Sequence, residues 1–265
     1  MALTSFVDES ARADRFWSSM ASVRPARIGV RVSLIDSSNE LILLNNRGIG
    51  GSTDDGRPFD IAKLADDAAH VIATLGIEHV SMMGWSMDGF IAQAFAVKYA
   101  ARVDKLVLLS TDPGGIDADL ACPEVWSQLL DTSDTPNEQA LRLVSLLFPN
   151  DVAESFYRQF GDIVAAARAQ VSVDLLNRQA AAMDTWRRDG LTSQLRDISV
   201  PVLIATGTED IVISASNALK LVNIIPGGWL AQFPHSGHAF MAQYPRALAD
   251  LINSFLALTT AHNTE

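Results

Sequence analysis

The sequence predicts an α/β domain: a mainly parallel sheet flanked by helices, with a helical segment inserted between two strands. Three observations predict it. Short runs rich in β-branched residues alternate with amphipathic helical stretches, the pattern that a parallel sheet requires. Two of those runs, Val103 to Ser110 and Val200 to Thr206, read as continuous apolar strands buried on both faces. Glycine is sparse between them: of 16 glycines, only Gly161 and Gly190 lie between Ile116 and Thr206.

From Asp60 onward each element has a local cause. Asp60 caps a helix whose Ile61, Leu64, Ala68, Val71 and Leu75 share one face, and Gly76 ends it. Val80 to Met83 is a short strand, followed at once by a second helix through Ala100. Within the glycine-poor stretch, Thr135-Pro136-Asn137-Glu138 reads as a capping box with proline in the first helical position. Leu141, Val144 and Phe148 then fall at helical spacing until Pro149. Ile163 to Trp186 continues in helix-favouring Ala, Leu, Gln and Arg. Helices over Ser214 to Ile225 and Pro245 to Leu258 flank a strand over Trp229 to Phe233, and the last residues form a frayed tail. Residues 1–114 and 196–265 thus make the α/β frame, and 115–195 the inserted helical block.

Composition narrows the function. Twenty basic against 31 acidic residues give a net charge of −11, which repels nucleic-acid backbones and anionic lipid surfaces. Hydrophobic residues make up 48% of the 265, enough for a large core. The single cysteine, Cys122, forms neither an internal disulfide nor a cysteine metal cluster. No signal peptide or membrane-length apolar run is evident, so the expected setting is cytoplasmic, with a small-molecule substrate as the partner. Nothing in these patterns specifies an oligomeric state.

The sharpest local signal is Gly84-Trp85-Ser86-Met87-Asp88-Gly89, between a strand and a helix. A serine on such a tight turn has its hydroxyl pushed out at the end of the sheet, at a helix N-terminus that favours negative charge. Crowding at the turn asks for small residues two places before and two places after the serine. Gly84 meets the first demand; Asp88 fails the second, with Gly89 one place late. Asp210 follows one buried strand and His238 follows the next, so both project from the strand C-termini, where loops of a parallel sheet converge. Ser86, Asp210, His238 is the chain order of one of the convergent serine–histidine–acid triads.

With these pieces in hand the chain resembles the α/β-hydrolase family from about Asn46 onward. The matching segments are NRGIGGST (46–53), GWSMDGFIAQ (84–93), VLLSTDPGG (107–115), PVLIATGTED (201–210) and SGHAF (236–240). The resemblance implies that Ser86 is the nucleophile, His238 the general base and Asp210 the residue that orients it. It also implies that the Met87 backbone N–H belongs to the oxyanion hole and that the helical block is a cap. The implied chemistry is acyl transfer, which asks for no cofactor and no metal. Trp85, Phe240, Trp126 and Trp186 are the candidate substrate contacts. Trp126, Trp186, Met183 and Phe156 are alternatively core residues of the block, whose inner surface would line a pocket. The expected function is hydrolysis of a small apolar carboxylic ester or lactone. The alternative is a catalytically weak relative that binds a small apolar ligand under its cap.

Two features depart from the family pattern. The Asp88 carboxylate sits near an oxygen that becomes negative in the transition state, which opposes catalysis. Before Asn46 only Gly29 occurs, so the glycine-rich turn that supplies a second oxyanion N–H is missing; Ser37 or Ser38 is a candidate substitute. Either Arg27 to Asp36 and Glu40 to Leu44 are two strands joined without the usual helix, or Phe16 to Met20 is a remnant of that helix and earlier strands are gone. His235, three residues before His238, reads as a surface histidine rather than a metal ligand, since no third ligand accompanies it. Asp112, after the strand ending at Ser110, is the other candidate acid, although Asp112-Pro113-Gly114 also reads as turn chemistry. Ester turnover by two variants separates the acids. Asp210→Asn is expected to lower it by about 10³–10⁴-fold, whereas Asp112→Asn retains most of it; the opposite ranking reassigns the acid.

Overall fold

The computed structural model describes residues 41–258. Arg27 to Asp36, Phe16 to Met20, Ser37 and Ser38 lie outside them. Helix α1 (Ile61–Thr74) is capped by Asp60, whose side chain accepts from the Lys63 N–H at 2.7 Å. Strand β1 (Val80–Trp85) leads directly into α2 (Met87–Lys98), and β2 (Val103–Leu109) follows. Five helices then intervene: α3 (Pro123–Leu130), α4 (Pro136–Leu147), α5 (Asn150–Ala169), α6 (Val173–Asp189) and the short α7 (Thr192–Leu195). Strand β3 (Val202–Gly207), α8 (Ala215–Ile224), β4 (Trp229–Phe233), α9 (Phe240–Gln243) and α10 (Pro245–Leu256) complete the frame.

The four strands of this sheet pair in parallel in the order β1-β2-β3-β4. Their registers align the C-terminal ends: Trp85 opposite Leu109, Leu109 opposite Ala205, and Gly207 opposite Phe233. Successive residues of a strand point to opposite faces, and here both faces are covered. Leu106, Leu108, Val202 and Ile204 pack into one apolar cluster with α1 and α2. Val107, Leu109, Leu203 and Ala205 pack into a second with α10. Helix α2 lies deep in the fold, with nine of its twelve residues buried, which is why its apolar character runs all round.

The turn between β1 and α2 exists because two glycines permit close approach. A Cβ on Gly84 would lie 2.1 Å from the Asp88 carbonyl oxygen, and one on Gly89 would lie 2.4 Å from Thr111 Oγ1. Arg47 fixes the loop before α1. Its Nε and Nη2 donate to the two Asp67 oxygens at 2.7 and 2.9 Å, and Nη1 donates to Asp55.

Several expectations need correction. The predicted strand over Glu40 to Leu44 is absent over its described part, since Leu41 to Leu44 carry no regular secondary structure. Their side chains line a cavity with α1 and β1. The helix predicted from Ile163 is two helices, broken at 170–172, where the Ser172 hydroxyl caps α6 by accepting from Leu175 N. Leu141, placed on the buried face of α4, is exposed; Ala140 and Val144 carry that face. The capping box at Thr135 and Glu138 forms as the sequence indicates. Among the described residues no helix is long and apolar enough to cross a membrane.

Gly84→Ala and Gly89→Ala are each expected to lower stability by about 1–3 kcal/mol. Gly84→Ala is the worse, because its Cβ meets backbone rather than side chain. Urea unfolding checks this as a lowered midpoint at unchanged slope.

Candidate active site

Ser86 sits at φ 55°, ψ −122°, between the last residue of β1 and the first of α2. A non-glycine residue at positive φ is strained by about 1–3 kcal/mol and persists only where its surroundings hold it. Here the Ser86 N–H donates to Leu109 O at 3.0 Å, and its carbonyl accepts from Thr111 Oγ1 and from the N–H groups of Gly89 and Phe90. The Met87 N–H belongs to the first turn of α2, whose N–H groups have no partners within the helix.

Asp210 and His238 meet at the same rim. Asp210 Oδ1 accepts from the backbone N–H groups of Val212 and Ile213 at 2.9 and 2.8 Å, which aims Oδ2 at His238 Nδ1, 2.8 Å away. Both side chains are fully buried. An acceptor on Nδ1 places the imidazole proton there and leaves Nε2 with its lone pair. That Nε2 is buried and has no hydrogen-bond partner, so the Ser86 hydroxyl and the imidazole are not hydrogen-bonded in this arrangement. Trp85 ties the two halves together: its Nε1–H donates to His238 O at 2.9 Å, and its ring lies 4.9 Å from the imidazole. The next residue, Ala239, donates its N–H to Leu147 O at the end of α4.

Asp112 is also buried here. Its Oδ1 accepts from Gly114 N at 2.8 Å, the turn bond expected of Asp-Pro-Gly, and from Trp186 Nε1 at 3.0 Å. Burial pushes its carboxyl above the usual range, against the opposing pull of the Gly114 and Trp186 donors and the positive charge of Arg187. Asp112 makes no hydrogen bond to His238, and Asp210 does. Asp88 turns away from the serine: its Oδ1 accepts from Asn46 Nδ2 at 3.0 Å, and it lines the cavity beside β1 that Ser86 does not reach. The charge expected to oppose catalysis therefore faces another space. The second small residue that the turn needs is Gly89, packed against Thr111.

Two cavities lie by this rim. One of about 20 Å³ is lined by Ser86, Asp112, Trp126, Arg187, Val212 and Ile213, among others. The other, of about 100 Å³, is almost wholly apolar and is lined by Trp85, Val144, Phe148, Phe156 and Phe160 with neighbours from α3 to α6. Leu129 and Met183 line both. Of the predicted substrate contacts, Trp126 and Trp85 line these spaces. Trp186 stacks on Phe90 at 4.9 Å and donates to Asp112. Phe240 is wholly buried against Phe233 and lines neither cavity, because α9 turns it into the core. His235 is exposed and pairs with Glu209. Among the described residues no three His, Cys, Asp or Glu converge as a metal site. The sequence reading missed Arg187 at the Ser86 cavity; its place near the end of α6 made it look like an ordinary helix-terminal cation.

The family model for the alpha/beta hydrolase fold matches residues 33–243. The bifunctional biotin biosynthesis protein BioHC of Teredinibacter turnerae is 23% identical over 243 residues, which is 84% of this chain but 40% of that protein. A protein provisionally named a carbamate hydrolase, from Azorhizobium caulinodans, is 24% identical over 85% of this chain and 84% of its own. A solved hydrolase structure from Pseudomonas aeruginosa superposes with a TM-score of 0.69 at 25% identity, covering 81% of this chain and 78% of that one.

Replacing Trp85 by Phe keeps an aromatic ring, smaller than the indole, and removes the donor to His238 O. The buried carbonyl left unpaired is expected to cost about 1–3 kcal/mol, seen as a lowered urea midpoint, with a fall in ester turnover as the imidazole loses its anchor.

Proposed function

The chain belongs to the alpha/beta hydrolase fold family, and from that premise we propose that it hydrolyses a small carboxylic ester or lactone through Ser86. The observation that carries the reading is the buried Asp210–His238 bond, with Nε2 left open at the rim that holds the strained Ser86. The reading requires Ser86 Oγ and His238 Nε2 to come within hydrogen-bond reach when substrate binds; such bonds often tighten only in the reactive complex.

The steps follow from these groups. His238 Nε2 takes the Ser86 proton as Oγ attacks the acyl carbonyl, and the Met87 N–H stabilises the oxygen that becomes negative. Collapse of the intermediate breaks the acyl–oxygen bond, and the proton on Nε2 goes to the departing alkoxide. Water then gives a proton to Nε2 and attacks the acyl-serine, releasing the acid and restoring the hydroxyl. Asp210 holds the imidazole in the tautomer that this sequence needs. The apolar cavity behind Leu129 and Met183 supports a hydrocarbon acyl chain as the part bound there. Residues 115–195 act as the cap in this reading, since the lining of that cavity comes from them and Trp85.

Fluorophosphonate labelling followed by peptide mapping tests the nucleophile. Label on Ser86, lost in Ser86→Ala, is expected; a chain that stays unlabelled while folded by circular dichroism refutes the hydrolase and leaves the ligand-binding alternative. Met183→Ala is expected to join the two cavities and move the preferred acyl chain to greater length. A series of 4-nitrophenyl esters from acetate to octanoate measures that shift.

A further inference from the structure

We propose that Arg187 is the docking point for a carboxylate carried by the substrate, so that the preferred ester or lactone is one bearing a free carboxylate. This deepens the hydrolase reading and rests on it for the identity of the reacting bond.

The argument begins with charge. Arg187 lines the small cavity that contains Ser86. Its guanidinium lies over the Trp126 ring, 3.9 Å from the centroid, and makes no ion pair or hydrogen bond to any described residue. The neighbouring Arg188 is paired with Asp189, so the end of α6 does not lack carboxylates within reach. An unpaired arginine on a helix end is ordinarily just a solvated cation near a favourable dipole. This one differs in being stacked on an aromatic face, which fixes its plane and leaves its N–H edge free for an anion.

The carboxylates that line the cavity have other hydrogen-bond partners than Arg187. Asp119 is already committed to Lys220 Nζ and Ser216 Oγ, both at 2.6 Å. Asp112 is held by Gly114 N and Trp186 Nε1 and feels the charge of Arg187 without a hydrogen bond to it. The cavity beside Ser86 thus holds a guanidinium that no carboxylate of its lining salt-bridges, in a chain of net charge −11. A planar guanidinium recognises a carboxylate through two parallel N–H···O bonds. Leu129 and Met183 line both this space and the hydrocarbon-lined cavity. A substrate with an apolar part on one side of the reacting carbonyl and an anionic part on the other matches both.

Two measurements test this. The first compares kcat/KM for phenyl butyrate and 3-carboxyphenyl butyrate, which differ only in the carboxylate. The wild type is expected to favour the carboxylated ester. Arg187→Gln is expected to lower its kcat/KM about 10–100-fold more than that of the neutral ester, and Arg187→Lys to restore part of the preference. The second uses Ser86→Ala and reads thermal stability with glutarate and with dimethyl glutarate. Glutarate is expected to raise Tm with concentration, its dimethyl ester to have no comparable effect, and Arg187→Gln to abolish the rise. Equal losses on both esters together with no glutarate effect overturn the proposal while leaving hydrolysis by Ser86 standing. A glutarate shift that depends on Arg187, in a chain that neither takes the fluorophosphonate label nor cleaves either ester, supports the anion site and removes the hydrolase reading.

Discussion

The rim of the sheet depends on one constraint: β1 must become α2 across a single residue. That forces Ser86 to positive φ, and the cost is met by contacts that no relaxed backbone would make. Gly84 lets the strand pass under the Asp88 carbonyl, and Gly89 lets the helix touch Thr111. Thr111 in turn hydrogen-bonds the Ser86 carbonyl. Ser110 and His235, the other non-glycine residues of the described chain at positive φ, stand at the ends of β2 and β4. Backbone strain is thus gathered at the strand C-termini, where the chemistry is proposed. The regular interior, with α2 buried nearly all round, supplies the apolar burial that tolerates it.

The polar groups at that rim follow the same logic. A buried carboxylate and imidazole are stable only when their hydrogen-bonding capacity is used. Asp210 meets this on both oxygens, through Val212, Ile213 and His238. The imidazole meets it on Nδ1 and not on Nε2. Ser110 Oγ and Gln93 Oε1 are likewise buried without a partner, but within the Asp210–His238 pair Nε2 is the one unsatisfied atom, and it is the atom a proton would reach in the proposed acyl transfer.

The parts of this arrangement legible in the sequence are those encoded locally. The strands β2 and β3 announce themselves by unbroken apolar runs, α4 by its capping box, and the turn at Ser86 by Gly84 and its place between elements. The less legible parts depend on contacts between distant segments. Asp88 is two residues from Ser86, yet its direction is set by Asn46, 42 residues earlier. Phe240 is two residues from His238, which makes it a candidate substrate contact in the sequence; a one-turn helix sends it to Phe233 instead. Arg187 carries no local mark at all. Its place beside the serine emerges only when α6 sets it over the Trp126 ring.

The helices between β2 and β3 are not merely laid over the rim. The end of α4 accepts a hydrogen bond from Ala239, the neighbour of His238, and Trp85 both anchors the His238 carbonyl and lines the apolar cavity those helices form. Pressure on that cavity from a bound acyl chain would therefore bear on the two attachments that position the imidazole. The side chains that line this cavity and the imidazole proposed as the base share supports. A cavity-lining substitution at Phe148 or Val144 should then alter turnover as well as chain-length preference, because Val144 and Phe148 pack in the same apolar cluster as Trp85 and Phe240. In the proposed reaction, selectivity and reactivity would be coupled through Trp85, the residue beside the serine, rather than divided between a frame and a lid.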